Sequence, residues 1–451
     1  MIISVSNKII LKNAPSPFAN IVKERLTMPN PAYTDAVKMK RWTGHIPKTL
    51  SYYEHNGNDL IVPRGFARQL IQLATQGEVS WKVEDRRRVL PDVDVVFKGT
   101  LRDYQQEAIA DVLKHDHGVL NAATGSGKTT MTLYTIAARK QPCLVIVHTK
   151  ELLNQWIDRA TQFMNMERDE IGVIGDGKRQ IGKRLTVGIV NSIYPIADEI
   201  KQHFGFIVVD ECHHCPSRTF TEAISQFDCR YMLGLSATPY RRDGLSKLIY
   251  WHLGDMVHQV DKHRLIQTGS ILKPEIVTRQ THFSTSYDPS GEYSKMLSEL
   301  AEDADRNHLI VSDVIQEAAK CSGIILVLSD RKSHCEILTG MLTDKGIKAA
   351  MLIGDLSSGK RREVIEKINT GEVDVIVATG SLVGEGFDLP ALSSLFLVTP
   401  IKFSGRVLQY LGRVLRPAPG KCTPKVFDYV DPVGVLVASA RTRLKVYQSA
   451  A

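Results

Sequence analysis

Apolar residues in the middle and last parts of the chain fall in short continuous runs, separated by longer stretches with a helical pattern such as 150–165. The runs lie at 143–148 (CLVIVH), 206–209 (FIVV), 324–328 (IILVL), 373–378 (VDVIVA) and 395–398 (LFLV). Continuous apolar runs are typical of strands that are buried on both faces of a parallel sheet. Their alternation with helical stretches indicates βαβ units. We therefore predict two α/β domains in tandem.

The first 98 residues have a different pattern, in which short apolar runs are separated by turn signals at 56–59 (NGND) and 63–65 (PRG). This mixture predicts a small α+β domain. A chain of 451 residues is too long for one hydrophobic core. The expected domains are 1–98, 99–260 and 261–451.

The chain is basic, and the charge is concentrated at its start. The net charge is +8, and residues 1–98 hold 15 Lys and Arg against 9 Asp and Glu, which is +6. An excess of this kind suggests a polyanionic partner. The alternative is an ordinary solvated basic surface. The choice between these two interpretations depends on the motifs in the rest of the chain.

Two classes of protein are disfavoured by the sequence. No stretch approaches the roughly 18 apolar residues of a membrane span, and the start lacks the layout of a signal peptide. Seven scattered cysteines do not form a disulfide framework. We therefore expect a cytoplasmic protein with reduced thiols and no membrane partner.

The segment 122–129 (AATGSGKT) has the pattern of a phosphate-binding loop before a helix that we expect to begin at Thr130. Gly125 and Gly127 permit a tight loop whose backbone N–H groups point at phosphate oxygens. In this pattern Lys128 reaches the β- and γ-phosphates and Thr129 ligates Mg²⁺. The expected nucleotide contacts are Thr124, Gly125, Ser126, Gly127, Lys128, Thr129 and Thr130. ATP and Mg²⁺ are the expected cofactors.

The segment 206–213 (FIVVDECH) supplies two carboxylates at the end of an apolar run. A magnesium-dependent hydrolase needs one carboxylate at the metal and one to activate water. We assign metal binding to Asp210 and the role of general base to Glu211. The run Cys212 to Cys215 (CHHC) could also suggest zinc, but zinc ligands are usually spaced along the chain, so this alternative is disfavoured.

With 236–238 (SAT) and 409–416 (QYLGRVLR), these motifs resemble motifs I, II, III and VI of superfamily 2 helicases, in the same order. Segments 101–105, 148–156 and 377–388 are similar to the family's adenine-reading segment, motif Ia and motif V. The resemblance covers about residues 101–430. Segments 236–244 and 305–307 resemble the XPB-like and phage UvsW-like branch. The acidic middle position of the XPB-type Arg-Glu-Asp element is replaced here by Arg242, which puts that element's role in doubt.

The resemblance implies two RecA-like domains that sandwich ATP. It implies that Arg102 and Gln105 recognise adenine. It also implies that Arg413 and Arg416 are cations that contact ATP from the second domain, and that Gly386 and Asp388 line the cleft. Spacing of i, i+3 in one helix would place both arginines on one face. Backbone contacts with DNA are expected from Thr149, Ser329, Arg331 and Thr379. In the basic N-terminal domain, Lys40 and Arg41 beside Trp42 are the expected DNA contacts.

The resulting hypothesis is an ATP-dependent DNA helicase, 3′→5′ by resemblance, that remodels branched DNA such as forks and Holliday junctions. We expect it in the cytoplasm, which is the host cytoplasm if the protein is phage-encoded. The alternatives are a double-stranded DNA translocase of a restriction-like complex and a nucleotide-switched DNA-binding adaptor without turnover. RNA as substrate also stays open. The sequence does not fix the oligomeric state, although a monomer is compatible with it.

Overall fold

The computed structural model describes residues 1–214, 218–237, 244–289, 291–320, 323–380, 389, 391–401, 404–418 and 421–450. The chain divides into two compact units. One comprises residues 1–122 and 127–260, and the other comprises residues 261–451 together with 123–126. The division after residue 260 coincides with the second boundary proposed from the sequence. Residues 1–98 belong to the same unit as the first α/β domain, so the packing has no division at the first proposed boundary.

The N-terminal part of the first unit is a five-stranded sheet with three helices. The sheet has the order β5–β6–β2–β1–β7 and is antiparallel except for the pair β1–β7. Its strands are β1 (Ile2–Val5), β2 (Lys8–Lys12), β5 (Glu54–Asn56), β6 (Asp59–Pro63) and β7 (Lys82–Asp85). A ribbon of β3 (Thr27–Pro29) and β4 (Thr49–Ser51) and helices α1 (Ser16–Arg25), α2 (Pro31–Lys38) and α3 (Ala67–Gln76) complete this part. The α+β prediction for residues 1–98 agrees with this arrangement.

The first α/β domain has an eight-stranded sheet with the order β11–β10–β12–β9–β13–β14–β8–β15. All neighbours are parallel except the hairpin β10–β11. The strands are β8 (His117–Asn121), β9 (Cys143–Val147), β10 (Gly172–Gly175), β11 (Lys178–Gln180), β12 (Leu185–Ile189), β13 (Phe206–Val209), β14 (Tyr231–Ser236) and β15 (Met256–Gln259). The helices are α4 (Asp103–Leu113), α5 (Lys128–Arg139), α6 (Lys150–Phe163), α7 (Val190–Ile193), α8 (Ala197–Ile200), α9 (Arg218–Ile224) and α10 (Ser246–Leu253).

The N-terminal sheet shares its hydrophobic core with this domain. Leu248 and Trp251 of α10 are buried in the same cluster as the apolar faces of β2 and β6. The buried Arg64 guanidinium donates from Nη1 to the Cys229 carbonyl at 2.6 Å. Because these contacts are buried, the two parts form one folded body, and removal of residues 1–98 would expose apolar surface on α10.

The second unit has a six-stranded, wholly parallel sheet with the order β16–β21–β20–β17–β19–β18. Its strands are β16 (Glu275–Gln280), β17 (Ile324–Ser329), β18 (Ala349–Leu352), β19 (Val375–Thr379), β20 (Leu392–Leu397) and β21 (Lys425–Val430). Its helices are α11 (Lys262–Gln267), α12 (Tyr293–Glu302), α13 (Ala304–Ala318), α14 (Lys332–Asp344), α15 (Ser358–Asn369), α16 (Ser404–Val414) and α17 (Gly434–Ala450). Two parallel sheets flanked by helices confirm the α/β prediction. In the described part of the chain, every helix is too short or too polar to span a membrane.

Candidate nucleotide and nucleic-acid sites

Four neighbouring strands of the first α/β domain bring the predicted motifs to one edge of the sheet. Strands β9, β13, β14 and β8 lie side by side and are parallel, so their carboxyl ends meet at the same edge. The phosphate-binding loop follows β8, motif Ia follows β9, and Asp210 and Glu211 follow β13. Ser236 ends β14. The edge is therefore the candidate ATP site.

The phosphate-binding loop needs glycine at two positions. Gly125 and Gly127 have φ of +88° and +83°, a region that side chains disfavour. A Cβ on Gly127 would also lie 2.4 Å from Nε2 of the buried Gln105. The Gln105 Oε1 accepts from the Arg102 backbone N–H at 3.0 Å. Gln105 thus lies against the phosphate-binding loop, whereas Arg102 is exposed.

The loop leads directly into α5, which begins at Lys128, two residues before the expected start at Thr130. The Lys128 Nζ donates to the Ala122 carbonyl at 3.1 Å, across the base of the loop. Thr129 and Thr130 are half-buried in the first turn of α5. This first turn presents the positive end of the helix dipole and a lysine, an arrangement suited to phosphate groups.

Asp210 is buried, with only 7% of its surface exposed. Its Oδ2 accepts from Trp156 Nε1 of α6 at 2.8 Å, and its Oδ1 accepts from the Glu211 backbone N–H at 2.9 Å. Burial raises the pKa of Asp210 above its usual range, and the charge of Glu211 adds to the rise. The Trp156 N–H and Lys128 oppose that rise because both stabilise the carboxylate.

Glu211 has an unusual backbone for a residue other than glycine, with φ of +46°. Its Oε2 lies 3.3 Å from the His213 Nδ1. Burial acts to raise the pKa of Glu211, but Lys128, His213 and His148 together outweigh burial and lower it. Glu211 therefore stays an anion at neutral pH, which is the form that can accept a proton.

Asp210 and Thr129 present oxygen ligands that fit Mg²⁺. This ion keeps several waters and commonly needs only one or two protein carboxylates beside substrate phosphates. Across the described ranges, no cluster of three or more His, Cys, Asp and Glu is arranged to hold a metal. Cys215, the last residue of the zinc alternative at Cys212 to Cys215, lies outside those ranges.

Motif III contacts motif II through a histidine. The buried Ser236 hydroxyl lies 3.4 Å from the Nδ1 of His213, the same nitrogen that faces Glu211. His213 therefore lies between the proposed base and the end of β14. Thr238 and residues 239–243, which include the altered Arg-Glu-Asp element, lie outside the described residues.

In the second unit, Arg413 lies in α16 and is buried, whereas Arg416 lies beyond the end of that helix at Val414. The expectation that both arginines lie in one helix is therefore corrected. Arg416 precedes Pro417, and a residue before proline is disfavoured in helical conformation. The Arg416 N–H still points to the Arg413 carbonyl at 3.5 Å, so a turn follows the helix directly. Gly386 and Asp388 lie outside the described residues.

Ser329 and Arg331 follow β17, and the structure gives them different surroundings. Ser329 is 1% exposed, and its hydroxyl accepts from the Arg331 N–H at 3.1 Å and lies 3.1 Å from His334 Nδ1. The other His334 nitrogen lies 2.9 Å from Asn307 Oδ1. Ser329 is thus placed to order the loop, not to present a surface contact. The half-exposed Arg331 donates to Ser294.

The remaining predicted nucleic-acid residues lie at the ends of elements or in a loop. Thr149 caps α6 by accepting from the Leu152 N–H at 3.2 Å. Thr379 ends β19, and its Oγ1 is buried without a hydrogen-bond partner in the described structure. Lys40 and Arg41 are exposed after α2.

Two contributors to the site were missed from the sequence. Trp156 donates to Asp210, and His213 lies between Glu211 and Ser236. Trp156 lies within the motif Ia segment, but its spacing along the chain does not reveal a contact with a residue 54 positions away.

Comparison with known proteins agrees with this geometry. Residues 98–241 match the family model described as type III restriction enzyme, res subunit, and residues 308–418 match the helicase conserved C-terminal domain. These two matches cover the nucleotide edge of the first α/β domain and most of the second unit.

Three relatives have similar sequence identity to this chain. A protein called an ATP-dependent RNA helicase in Acanthamoeba polyphaga mimivirus is 28% identical over 84% of this chain and 72% of its own length. A probable helicase of Escherichia phage T5 is 27% identical over 82% and 80%. The DNA 3′-5′ translocase XPB2 of Sulfurisphaera tokodaii is 26% identical over 72% and 81%. These identities are too close to single out one of the three, the phage T5 protein included, as the counterpart of this chain.

A solved fragment of an HsdR subunit of a type I restriction enzyme from Vibrio vulnificus has the same fold. It is 18% identical, with a TM-score of 0.59 over 77% of this chain and 66% of the fragment. The motifs, the strand-edge geometry and the two family matches agree, and the chain is therefore a superfamily 2 helicase, an ATP-dependent enzyme.

Proposed function

We propose that this protein is a DNA helicase that moves 3′→5′ and remodels branched DNA such as forks and Holliday junctions. The observation that carries the proposal is the adjacent carboxylates of the buried Asp210 and the half-buried Glu211, at the same sheet edge as Lys128. An anionic base beside a phosphate-binding loop is what an ATP hydrolase needs.

In this proposal Lys128 leaves the Ala122 carbonyl to bind the β- and γ-phosphates of ATP. Mg²⁺, held by Thr129 and Asp210, would neutralise charge on the same phosphates. Glu211 orients the attacking water and accepts its proton. Since Lys128 lowers the pKa of Glu211, movement of Lys128 towards the phosphates would make Glu211 a stronger base once ATP is bound. His213 holds Glu211 in position from the side of Ser236.

Arg413 and Arg416 are proposed to act on the same ATP from the second RecA-like domain. Their guanidinium groups would stabilise the charge that develops on the transferred phosphoryl group. Gly386 and Asp388 are proposed to line the same cleft. Hydrolysis would remove these contacts and allow the two domains to separate, which moves bound DNA.

DNA would be held through its backbone by Thr149, Arg331 and Thr379, with Ser329 positioning Arg331. Phosphate contacts carry no sequence information, which suits a motor that must act on any sequence. The basic N-terminal domain, with Lys40 and Arg41, is proposed to favour branched DNA.

Two alternatives have specific support. The family model matched at residues 98–241 comes from a restriction enzyme, which favours a double-stranded DNA translocase as the second candidate. The mimivirus relative is called an RNA helicase, so RNA is the competing substrate. An adaptor without turnover is disfavoured by the intact Lys128 and Glu211.

Strand displacement across a panel of substrates tests the proposal. Forks, four-way junctions, R-loops, linear duplexes and duplex RNA would be offered with ATP and Mg²⁺. We expect ATP-dependent remodelling of forks and junctions and little displacement of blunt duplex or RNA. A linear duplex that carries a third strand would be added for the alternative, and displacement of that strand without fork remodelling would favour the translocase.

A further inference from the structure

The loop between α2 and β4 exposes large apolar side chains. Trp42 is 74% exposed, Met39 58% and Val37, in the last turn of α2, 53%. Tryptophan is among the residues most buried on average, so a ring this exposed needs an explanation. The structure thus places Trp42 at the surface and not in a hydrophobic core.

The first end of the loop is fixed by an ordered helix terminus. The Arg41 N–H bonds to the Ala36 carbonyl at 2.8 Å and the Lys40 N–H to the Val37 carbonyl at 3.0 Å. This is the bonding of a Schellman motif, in which the position of Lys40 is usually glycine. Lys40 has φ of +53°, a conformation that costs a side chain free energy. Glycine would adopt this backbone conformation at a lower cost in free energy than the lysine that is present.

The second end of the loop is fixed by a buried asparagine. Asn30 donates from Nδ2 to the Pro47 carbonyl at 2.8 Å, and its N–H donates to the Lys48 carbonyl at 2.9 Å. The Trp42 ring itself meets His45 at right angles, with centroids 4.8 Å apart. It also lies against Gly44, where a Cβ would be 2.2 Å from the ring. An ordered loop thus presents the ring to solvent.

The charge around the ring has one sign. Residues 37–48 contain Lys38, Lys40, Arg41 and Lys48 and no acidic residue, and all four cations are exposed. Other N-terminal cations are already used inside the protein: Arg88 pairs with Asp228 at 2.8 Å. The loop is therefore complementary to a polyanion that also offers flat apolar surfaces. Nucleic acid with unpaired bases combines these two properties.

We propose that Trp42 stacks on an unpaired base where a duplex opens into single strands, while Lys38, Lys40 and Arg41 hold the adjoining phosphates. This rests on the proposed function, because a helicase generates such a base at each step. A blunt duplex has no unpaired base and would use the cations alone. The element would thus distinguish a fork from plain duplex.

The test compares binding of the full-length protein to a fork with single-stranded arms and to a blunt duplex of equal length, by fluorescence anisotropy. Trp42→Ala should weaken fork binding about tenfold and change duplex binding little. Trp42→Phe, which keeps an aromatic ring, should retain most of the fork affinity. The matched control is Trp81→Ala, which removes a tryptophan that is 40% exposed in the same N-terminal part and should change neither affinity.

A second readout is intrinsic fluorescence. Trp156 and Trp251 are buried, so in Trp81→Phe the exposed emission comes from Trp42. Single-stranded DNA should quench that emission, and blunt duplex should not. Fork binding by Trp42→Ala equal to that of the wild type, or equal losses on fork and duplex, would overturn the inference and assign the loop to a protein partner or to simple charge attraction. Wild-type protein that hydrolyses no ATP with any DNA would instead contradict the proposed function.

Discussion

Charged side chains in the first compact unit occupy two contrasting environments. At the nucleotide edge, Asp210 is buried and Glu211 is half-buried, and each is held by named neighbours. In the loop after α2, Lys40 and Arg41 are exposed. Buried charges have shifted pKa values and fixed geometry, which chemistry requires, whereas exposed cations attract a partner without fixing it.

The contrast also divides the N-terminal domain itself. Arg64 is buried against the Cys229 carbonyl, Arg87 bridges Asp85 and Asp116, and Arg88 binds Asp228. These arginines make contacts within the N-terminal domain and with the first α/β domain. The +6 charge of residues 1–98 therefore overstates the surface available to nucleic acid. Only the exposed share can serve as a docking surface.

The largest effect is expected at the proposed base, Glu211. Glu211→Gln should lower ATP turnover by about 10³-fold, because an amide cannot accept the proton of water. Binding of ATP should be retained, since Lys128 and the phosphate-binding loop are unchanged. Phosphate release and nucleotide binding would be measured on the same protein. Turnover close to that of the wild type would show that Glu211 is not the base.

Arg413→Ala should have the next largest effect. If the arginine acts on the transferred phosphoryl group, its loss should lower ATP turnover by up to about 10³-fold. DNA binding should be retained, because its role would be confined to ATP. Anisotropy with a fork and phosphate release would be compared. A variant that hydrolyses ATP normally but binds DNA weakly would reassign Arg413 to the nucleic-acid surface.

Trp156→Phe should have a smaller effect that depends on pH. The indole N–H lowers the pKa of Asp210, so its loss should raise that pKa further. Protonated Asp210 cannot hold a metal. As the pH is lowered, the activity of Trp156→Phe should therefore begin to fall about one pH unit above the pH at which wild-type activity begins to fall. The measurement is phosphate release against pH at limiting Mg²⁺, with Trp81→Phe as control. If the activity of Trp156→Phe and of the wild type fell at the same acidic pH, Trp156 would have no influence on the protonation of Asp210 during turnover.

The smallest effect is expected from an exposed cation. Arg41→Gln should weaken fork binding a few fold and reduce the slope of log affinity against log salt by about 0.9, the value for one phosphate contact. Turnover at saturating DNA tests whether the cation contributes anything beyond docking. Arg86→Gln is a matched control, because Arg86 is exposed but already pairs with Glu84 at 2.9 Å. Equal salt slopes for wild type and Arg41→Gln would remove Arg41 from the interface.

Much of the fold could be predicted because buried parallel strands have continuous apolar runs. The run 206–209 corresponds to β13 and 143–148 to β9. Sequence also located Lys128, Asp210 and Glu211, since their motifs are local. The contact of Trp156 with Asp210 could not be predicted, because it joins residues brought together only by the sheet order. The i, i+3 spacing of Arg413 and Arg416 does not reveal the end of α16, which Pro417 favours by opposing helical conformation at the residue before it.

The most direct test of the central claim is phosphate release by the wild-type protein with ATP and Mg²⁺, measured without nucleic acid and with a fork, a blunt duplex or RNA of equal length. The account predicts that the fork stimulates hydrolysis most and RNA least, and that the stimulation disappears in Glu211→Gln. Stimulation by RNA alone, or hydrolysis that no nucleic acid changes, would contradict a motor that acts on branched DNA.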